Sequence, residues 1–214
     1  RLVPVKDEKA ERAREILRIL RDNFSVPKLS SIMSDPFKVL VRTIISQSTA
    51  EINTRRAYEK LSGRLLITPK GLAEADVKEI EDALRVAGLY RNKSRVIKEV
   101  SKLIFERFNG SLDFVYSLPF NEAREKLMIL PGIGPKTADI ILLFCANSPT
   151  LPVDTHVNRV SKRLGLVPTN ADYEGVRGTL QALYQPDEYF EVHMLFIALG
   201  RRYCKAIKPL HSSC

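Results

Sequence analysis

Apolar residues recur at intervals of three and four along most of the chain, which is the period of an amphipathic helix. In the N-terminal segment this repeat is formed by Ala13, Ile16, Leu17, Leu20 and Phe24. The same spacing predicts further helices over 36–45, 77–84, 96–104, 121–130, 136–146, 155–164, 173–183 and 190–201. No segment alternates apolar and polar residues convincingly enough to predict a strand. The pattern therefore predicts an all-α fold.

Residues typical of helix ends support these boundaries. Asp35 followed by Pro36 is typical of an N-cap and a first helical position. Gly88 and Gly110 are well placed to end the helices that precede them.

A proline-containing segment, 148–152, forbids helix continuation and is the best hinge in the chain. If the chain has two lobes, residues 28–148 form a central helical bundle and residues 1–27 with 149–214 form the second lobe. A cleft between two such lobes is a common place for a substrate.

Charge favours a polyanionic partner. The 214 residues include 34 Lys and Arg against 25 Asp and Glu, a net charge of +9. A soluble protein that is simply basic is an equal alternative at this point.

Cys145, Cys204 and Cys214 are too few and too scattered for a disulfide framework. No apolar run approaches the roughly 20 residues of a membrane span, and no signal peptide is visible, which predicts a cytoplasmic or nucleoid setting without membrane contact.

The segment LPGIGPKT, from Leu130, contains a glycine turn followed by a helix start. Gly132 and Gly134 permit left-handed backbone angles and a close backbone approach. The N–H groups of the helix that begins near Pro135 can hold a phosphate. An ordinary tight connection between helices is the alternative for the turn alone.

Two further residues suggest chemistry on a sugar. The positive end of the helix dipole disfavours an ammonium ion at Lys136, and a neutral amine can form a Schiff base. The alternative is a solvated lysine that contacts phosphate. Asp154, in the segment PVDTH, can stabilise positive charge on the sugar or relay a proton. Its alternative role is a helix N-cap, and the two roles are compatible.

These segments resemble a known family. Residues 130–140 resemble the helix-hairpin-helix of the endonuclease III family of DNA glycosylases, and 153–159 resemble its aspartate segment. The resemblance runs from about residue 35 to 214 and assigns the family's catalytic lysine and aspartate to Lys136 and Asp154. It implies a two-lobed helix-hairpin-helix fold with the active site between the lobes.

The resemblance also implies contacts with DNA. Gln47 matches a glutamine that enters the duplex, and Leu89 a leucine that wedges into the opposite strand. A helix-terminal polar residue and a core leucine are their alternatives. The full set of implied DNA contacts is Gln47, Leu89, Gly132, Ile133, Gly134, Thr137, His156 and Arg159. A solvated helix face explains His156 and Arg159 nearly as well.

The sequence departs from the family at the base pocket and at the C-terminus. Ala50 and Met128 stand where relatives that act on oxidised pyrimidines often carry acids, which keeps uracil and mismatched thymine as possible targets. The family commonly holds a [4Fe-4S] cluster with four cysteines. Here Cys204 and Cys214 match two of them and His211 replaces a third, so the ligand set is incomplete. We expect the 214 residues to hold no intact cluster, and the alternative is that a tail beyond Cys214 supplies the missing ligands. The chemistry requires no metal.

We therefore predict a base-excision glycosylase that flips a damaged or mismatched pyrimidine from duplex DNA. Lys136 cleaves the glycosidic bond with help from Asp154, and the resulting Schiff base nicks the abasic site by β-elimination. A monofunctional uracil or thymine mismatch glycosylase and a non-catalytic DNA-binding module are the alternatives. The partner is duplex DNA with a damaged base or an abasic site, and the protein is expected to be a monomer.

Overall fold

The computed structural model describes residues 5–31 and 35–214, and all regular secondary structure in these residues is helical. The predicted all-α fold is confirmed. The chain forms two compact units, which we call the central unit (Met33–Ala146) and the terminal unit (Arg1–Ile32 with Asn147–Cys214). The predicted domain boundaries at residues 28 and 148 stay a prediction. Each helix in the described ranges is too short or too polar to cross a membrane.

The helices are numbered in chain order. They are α1 (Val5–Asn23), α2 (Pro36–Ser46), α3 (Glu51–Ser62), α4 (Pro69–Glu74), α5 (Val77–Leu84), α6 (Tyr90–Arg107), α7 (Phe114–Ser117), α8 (Phe120–Met128), α9 (Pro135–Ala146), α10 (Thr155–Arg163), α11 (Tyr173–Leu183) and α12 (Tyr189–Arg202). Short 3₁₀ turns lie at Leu29–Ser31, Pro186–Glu188 and His211–Ser213.

Local capping residues set several of these ends as predicted. The Asp35 carboxylate accepts a hydrogen bond from the Lys38 N–H (3.0 Å), and Pro36 is the first residue of α2. Gly110 is left-handed (φ 69°), and its N–H donates to the Ile104 carbonyl near the end of α6. These signals lie within one helical turn of the boundary, which explains why the sequence revealed them.

Helix α3 was missed because its buried stripe is weakly apolar. Thr54, Ala57 and Leu61 have helical spacing and face the core, but one is polar and another is small. Helices α4 and α7 were also missed, since six and four residues are too short for a clear repeat.

The prediction that Gly88 ends a helix is wrong. Helix α5 ends at Leu84, and the left-handed residue in the following turn is Leu89 (φ 57°). Gly88 is required for space, because an added Cβ would lie 2.9 Å from the Ser48 carbonyl oxygen.

Helix α2 forms the centre of the central unit. It packs against α3, α6 and α9 and buries Phe37, Leu40, Val41, Ile44 and Ile45. Burying each such side chain contributes about 1.5–3 kcal/mol. This packing fixes the C-terminal end of α2 and therefore the start of the loop that carries Gln47.

Helix α12 has the same role in the terminal unit. Its buried face includes Val192, Leu195 and Phe196, and it packs against α10 and α1. Arg21 of α1 also donates to Glu191 of α12 at 2.6 Å, which joins the first and last helices of this unit at the surface.

Candidate active site

The turn between α8 and α9 is built around Gly132. Its φ of 76° is left-handed, and a Cβ there would lie 2.5 Å from Cγ1 of Val96. Conformation and space therefore both require glycine. The turn is closed by a 3.2 Å hydrogen bond from the Ile133 N–H to the Leu130 carbonyl.

The surface beside Gly134 is open, since an added Cβ would meet no atom within 4 Å. The first helical hydrogen bond of α9 runs from the Ala138 N–H to the Gly134 carbonyl (3.0 Å). The N–H groups of Lys136 and Thr137 thus belong to the first turn, where a helix attracts anions. The side chains of Ile133 and Thr137 are buried, whereas Lys136 is half-buried. A DNA contact of Thr137 would therefore use its backbone N–H. The Ile133 N–H already donates to the Leu130 carbonyl, and a DNA contact of Ile133 stays a prediction.

An internal ion pair joins α8 and α9, the two helices on either side of this turn, which together form the hairpin. Arg124 on α8 donates to both carboxylate oxygens of Asp139 on α9, at 2.9 and 3.1 Å. The Asp139 side chain has no exposed surface. Asp139 lies one helical turn after Lys136, so the pair links the first turns of α9 to α8.

Asp154 is the N-cap of α10. Its Oδ1 accepts a 2.7 Å hydrogen bond from the Val157 N–H, which is the structural role considered for it. The segment before it is held within the terminal unit. The Leu151 N–H donates to Oε1 of Gln181 (3.0 Å), and buried His193 contacts the Pro152 carbonyl through Nδ1 (2.9 Å). These two contacts therefore hold in place the backbone segment that leads to Asp154.

Arg159 is engaged with the C-terminal part of the chain. Its Nε donates to the Cys204 carbonyl (2.8 Å) and its NH2 to the Gly200 carbonyl (3.2 Å). The NH2 group also lies 2.9 Å from Nδ1 of His156, which must act as the acceptor because a guanidinium has donors only. Contacts of His156 and Arg159 with DNA stay predictions.

Gln47 and Leu89 lie on two loops of the central unit. Gln47 follows α2 directly and is exposed. Leu89 is 66% exposed and left-handed, so its alternative role as a core residue is wrong. Leu89 thus exposes an apolar side chain to water and has a backbone conformation that is rare for residues other than glycine. Strained backbone of this kind concentrates at functional sites.

One residue of this region was missed by the sequence analysis. Lys93 on α6 is 2% exposed, and its Nζ donates to the Ile45 carbonyl (2.8 Å) and to the Thr49 hydroxyl (2.7 Å). Burial lowers the pKa of Lys93 from 10.5 to about 8. A signal was present in the sequence, because Lys93 shares helical spacing with Ile97, Val100 and Ile104 and so lies on the apolar face of α6.

The C-terminal cysteines do not form a ligand set for an iron–sulfur cluster. Cys204 Sγ accepts a hydrogen bond from NH1 of Arg163 at 3.6 Å, and Cys214 is exposed beside the turn that contains His211. Within residues 5–31 and 35–214, no group of three or more His, Cys, Asp or Glu residues is placed to hold a metal. A [4Fe-4S] cluster usually needs four thiolates, so the residues present do not fit it.

Sequence comparison identifies the family. Residues 41–186 match the model of the HhH-GPD superfamily of base excision DNA repair proteins. Endonuclease III of Thermotoga maritima is 36% identical over 181 residues, which cover 85% of this chain and 80% of that protein. Endonuclease III of Sulfolobus acidocaldarius is 32% identical over 210 residues, which cover 94% of this chain and 92% of that protein.

Solved structures agree with this assignment. A non-covalent endonuclease III–DNA complex is 30% identical, with a TM-score of 0.83 over 96% of this chain and 92% of that one. A trapped endonuclease III–DNA covalent intermediate is 29% identical, with a TM-score of 0.81 over 99% and 93%. A thermostable thymine-DNA glycosylase, 16% identical with a TM-score of 0.77 over 98% and 94%, shares the fold. The chain therefore belongs to the HhH-GPD superfamily of base excision DNA repair proteins and, within it, to the endonuclease III family.

Proposed function

We propose that this chain is a base-excision DNA glycosylase with AP lyase activity, and that Lys136 and Asp154 are its catalytic residues. Membership of the endonuclease III family supports the activity. The observation that carries the assignment of residues is the position of Lys136, half-buried in the first turn of α9 directly after the open backbone at Gly134.

DNA binding begins with the phosphate backbone. The backbone N–H groups of Gly134, Lys136 and Thr137 hold a phosphate without reading the sequence, and the net charge of +9 favours association. The target nucleotide then leaves the base stack, which costs a few kcal/mol. Side chains of Gln47 and Leu89 enter the duplex and offset part of the lost stacking.

Cleavage of the glycosidic bond uses the amine of Lys136. Nζ attacks C1′ of the sugar through its lone pair, and the C1′–N bond breaks as the base leaves with the electron pair and takes up a proton. The carboxylate of Asp154 stabilises the positive charge that develops on the sugar. Its Oδ1 caps α10, so we assign this task to its other oxygen.

Strand cleavage follows from the covalent intermediate. Nitrogen loses a proton, its lone pair forms the C=N bond, and the C1′–O4′ bond breaks as O4′ takes up a proton. The product is a protonated Schiff base between Nζ and C1′ of the opened sugar. Removal of a proton from C2′ then expels the 3′-phosphate by β-elimination, and water hydrolyses the imine to release Lys136. These steps require neither a metal nor a redox cofactor. We further propose that the protein acts as a monomer in the nucleoid.

The substrate range follows from the two departures near the base pocket. Ala50 precedes α3 without a side-chain cap, and Met128 is 37% exposed at the end of α8. Neither can accept hydrogen bonds from an oxidised pyrimidine as a carboxylate does. We therefore propose that uracil and mismatched thymine are among the substrates.

A panel of lesion duplexes tests this function. The protein is incubated with duplexes that carry uracil opposite guanine, thymine opposite guanine or 5,6-dihydrouracil opposite adenine. Each sample is then divided between alkali and neutral buffer. Strand cleavage in neutral buffer is the expected result. Cleavage after alkali alone would mean a monofunctional glycosylase, and intact strands in both arms across the panel would overturn the proposal.

A further inference from the structure

The two loops that carry Gln47 and Leu89 are joined by a buried lysine. Lys93 Nζ reaches the loop after α2 through the Ile45 carbonyl (2.8 Å) and the Thr49 hydroxyl (2.7 Å). Its own backbone N–H donates to the Leu89 carbonyl (3.0 Å). A single residue therefore contacts both loops, which are separated by about forty residues of sequence.

The Thr49 hydroxyl is the second element of this connection. It accepts hydrogen bonds from the Gly88 N–H (3.1 Å) and from Lys93, and it donates to the Gln47 carbonyl (3.2 Å). Both of its lone pairs and its proton are used, so the hydroxyl has one preferred orientation. The network thus includes the backbone of Gln47 and the residue directly before Leu89.

The backbone in both loops needs such support. Ser48 (φ 50°) and Leu89 (φ 57°) are left-handed, although neither is glycine. The loops also touch closely, because a Cβ on Gly88 would lie 2.9 Å from the Ser48 carbonyl oxygen. Strained conformations of this kind persist where surrounding contacts over-determine them.

Stability alone is a weak reason for a charge at this position. An ammonium group near the C-terminal carbonyls of α2 is favoured by the helix dipole. Burial opposes it, as the lowered pKa of Lys93 indicates. A methionine would fill the same volume without desolvating a charge. What a methionine lacks is the ability to donate hydrogen bonds to both Ile45 and Thr49.

We propose that Lys93 is a positioning residue that, through Thr49, holds Gln47 and Leu89 in one fixed arrangement, so that both side chains enter the duplex together. The inference rests on the proposed function, in which these two side chains replace the extruded base. Loops that already have the bound conformation avoid the entropy cost of becoming ordered when the base flips. The network should therefore favour the flipped state.

The test uses Lys93→Met and Thr49→Val, each with a control variant. Lys98→Met is the control for the first, because Lys98 lies on the same helix and its Nζ donates to the Ala73 carbonyl (2.9 Å), away from both loops. Thr49→Ser is the control for the second, because it keeps the hydroxyl. Circular dichroism confirms folding in each case, and Thr49→Val decides the question if Lys93→Met does not fold.

The first measurement does not depend on catalysis. Each protein is added to a duplex that carries a tetrahydrofuran abasic analogue opposite 2-aminopurine, whose fluorescence rises when it is unstacked. At saturating protein, the wild type, Lys98→Met and Thr49→Ser should give the full rise. Lys93→Met and Thr49→Val should lose most of it. No rise with the wild type, or a full rise with folded Lys93→Met or with folded Thr49→Val, overturns the inference.

The second measurement compares single-turnover excision of one lesion in two settings, fully paired or flanked by mismatches that leave it already unstacked. The lesion is the one from the panel that the wild type excises fastest. Lys93→Met and Thr49→Val should lose roughly tenfold in the paired setting and less than about twofold in the unstacked one. Equal losses in both settings, or the same loss in Lys98→Met, contradict a positioning role. A wild type that excises nothing overturns the proposed function instead, and the fluorescence result still judges Lys93.

Discussion

Arg124 and Asp139 form a bidentate ion pair between the two helices of the hairpin, with N–O distances of 2.9 and 3.1 Å. Asp139 is fully buried, and Arg124 is largely so. The pair ties the helix that carries Lys136 to the helix before it. The geometry of the hairpin thus depends on a contact between residues that lie 15 positions apart.

Removing one partner of this pair should destabilise the protein strongly. In Asp139→Ala the mostly buried guanidinium of Arg124 loses both hydrogen bonds to the Asp139 carboxylate, which is expected to lower the free energy of unfolding by about 3–5 kcal/mol. Urea denaturation followed by circular dichroism measures this change. As a control, Glu106→Gln disrupts the exposed contact with Lys102 (3.8 Å) and should change stability by less than about 1 kcal/mol. Equal effects of the two substitutions would contradict the importance of the buried pair.

Lys136→Gln should abolish covalent trapping by borohydride on an abasic-site duplex, because an amide cannot form an imine. DNA affinity, measured by fluorescence anisotropy, should change little, since the backbone N–H groups of the hairpin are kept. Lys126→Gln, on the other helix of the hairpin, is the matched control and should trap normally. Trapping that persists in Lys136→Gln would place the nucleophile elsewhere.

Asp154→Asn should separate the chemical role of this residue from its structural role. The neutral amide still accepts the hydrogen bond from the Val157 N–H, so we expect stability to fall by less than about 1 kcal/mol. Excision should fall at least about a hundredfold, because the charge that stabilises the developing cation is lost. Asp172→Asn, at the equivalent N-cap of α11, should keep both stability and excision. Near-normal excision by folded Asp154→Asn would leave Asp154 with its capping role.

Stability should depend on pH through Lys93. Its pKa is lowered from 10.5 to about 8 in the folded chain. Between these values the unfolded chain keeps a proton that the folded chain has lost, so the folded state gains stability as pH rises. The free energy of unfolding of the wild type relative to Lys93→Met should therefore rise from about pH 8 to pH 10.5 and level off below pH 8. A constant difference across this window, measured by urea denaturation, would show that Lys93 is not the group responsible.

Iron and sulfide analysis tests the expected loss of the cluster. Cys204 and Cys214 supply thiolates, His211 replaces another, and Arg163 contacts the sulfur of Cys204 instead. We expect the 214-residue chain to contain no stoichiometric iron or acid-labile sulfide and to lack broad absorption near roughly 400 nm. A purified iron–sulfur protein of known iron content, analysed in parallel, checks the recovery of iron. Stoichiometric iron and sulfide would reveal ligands other than those identified in this chain.

The sequence by itself determined those features whose partners lie within a helical turn or two. The Asp35 cap of α2, the hydrogen bond from Ile133 to Leu130 and the Asp154 cap of α10 are local contacts between residues at most a few positions apart. The position of Lys136 at the start of α9 follows from the same kind of pattern, and the all-α fold follows from periodicity. The family could therefore be identified from short motifs.

Tertiary structure alone decided which distant residues meet. Lys93 finds Ile45 and Thr49 across 48 and 44 positions, and Arg159 finds Cys204 across 45. Periodicity shows that a lysine lies on an apolar face. It does not show which carbonyl or hydroxyl accepts its hydrogen bonds, because that depends on how whole helices pack. The same reason explains Leu89, whose exposure is set by the packing of α2 and α6 and not by its own hydrophobicity.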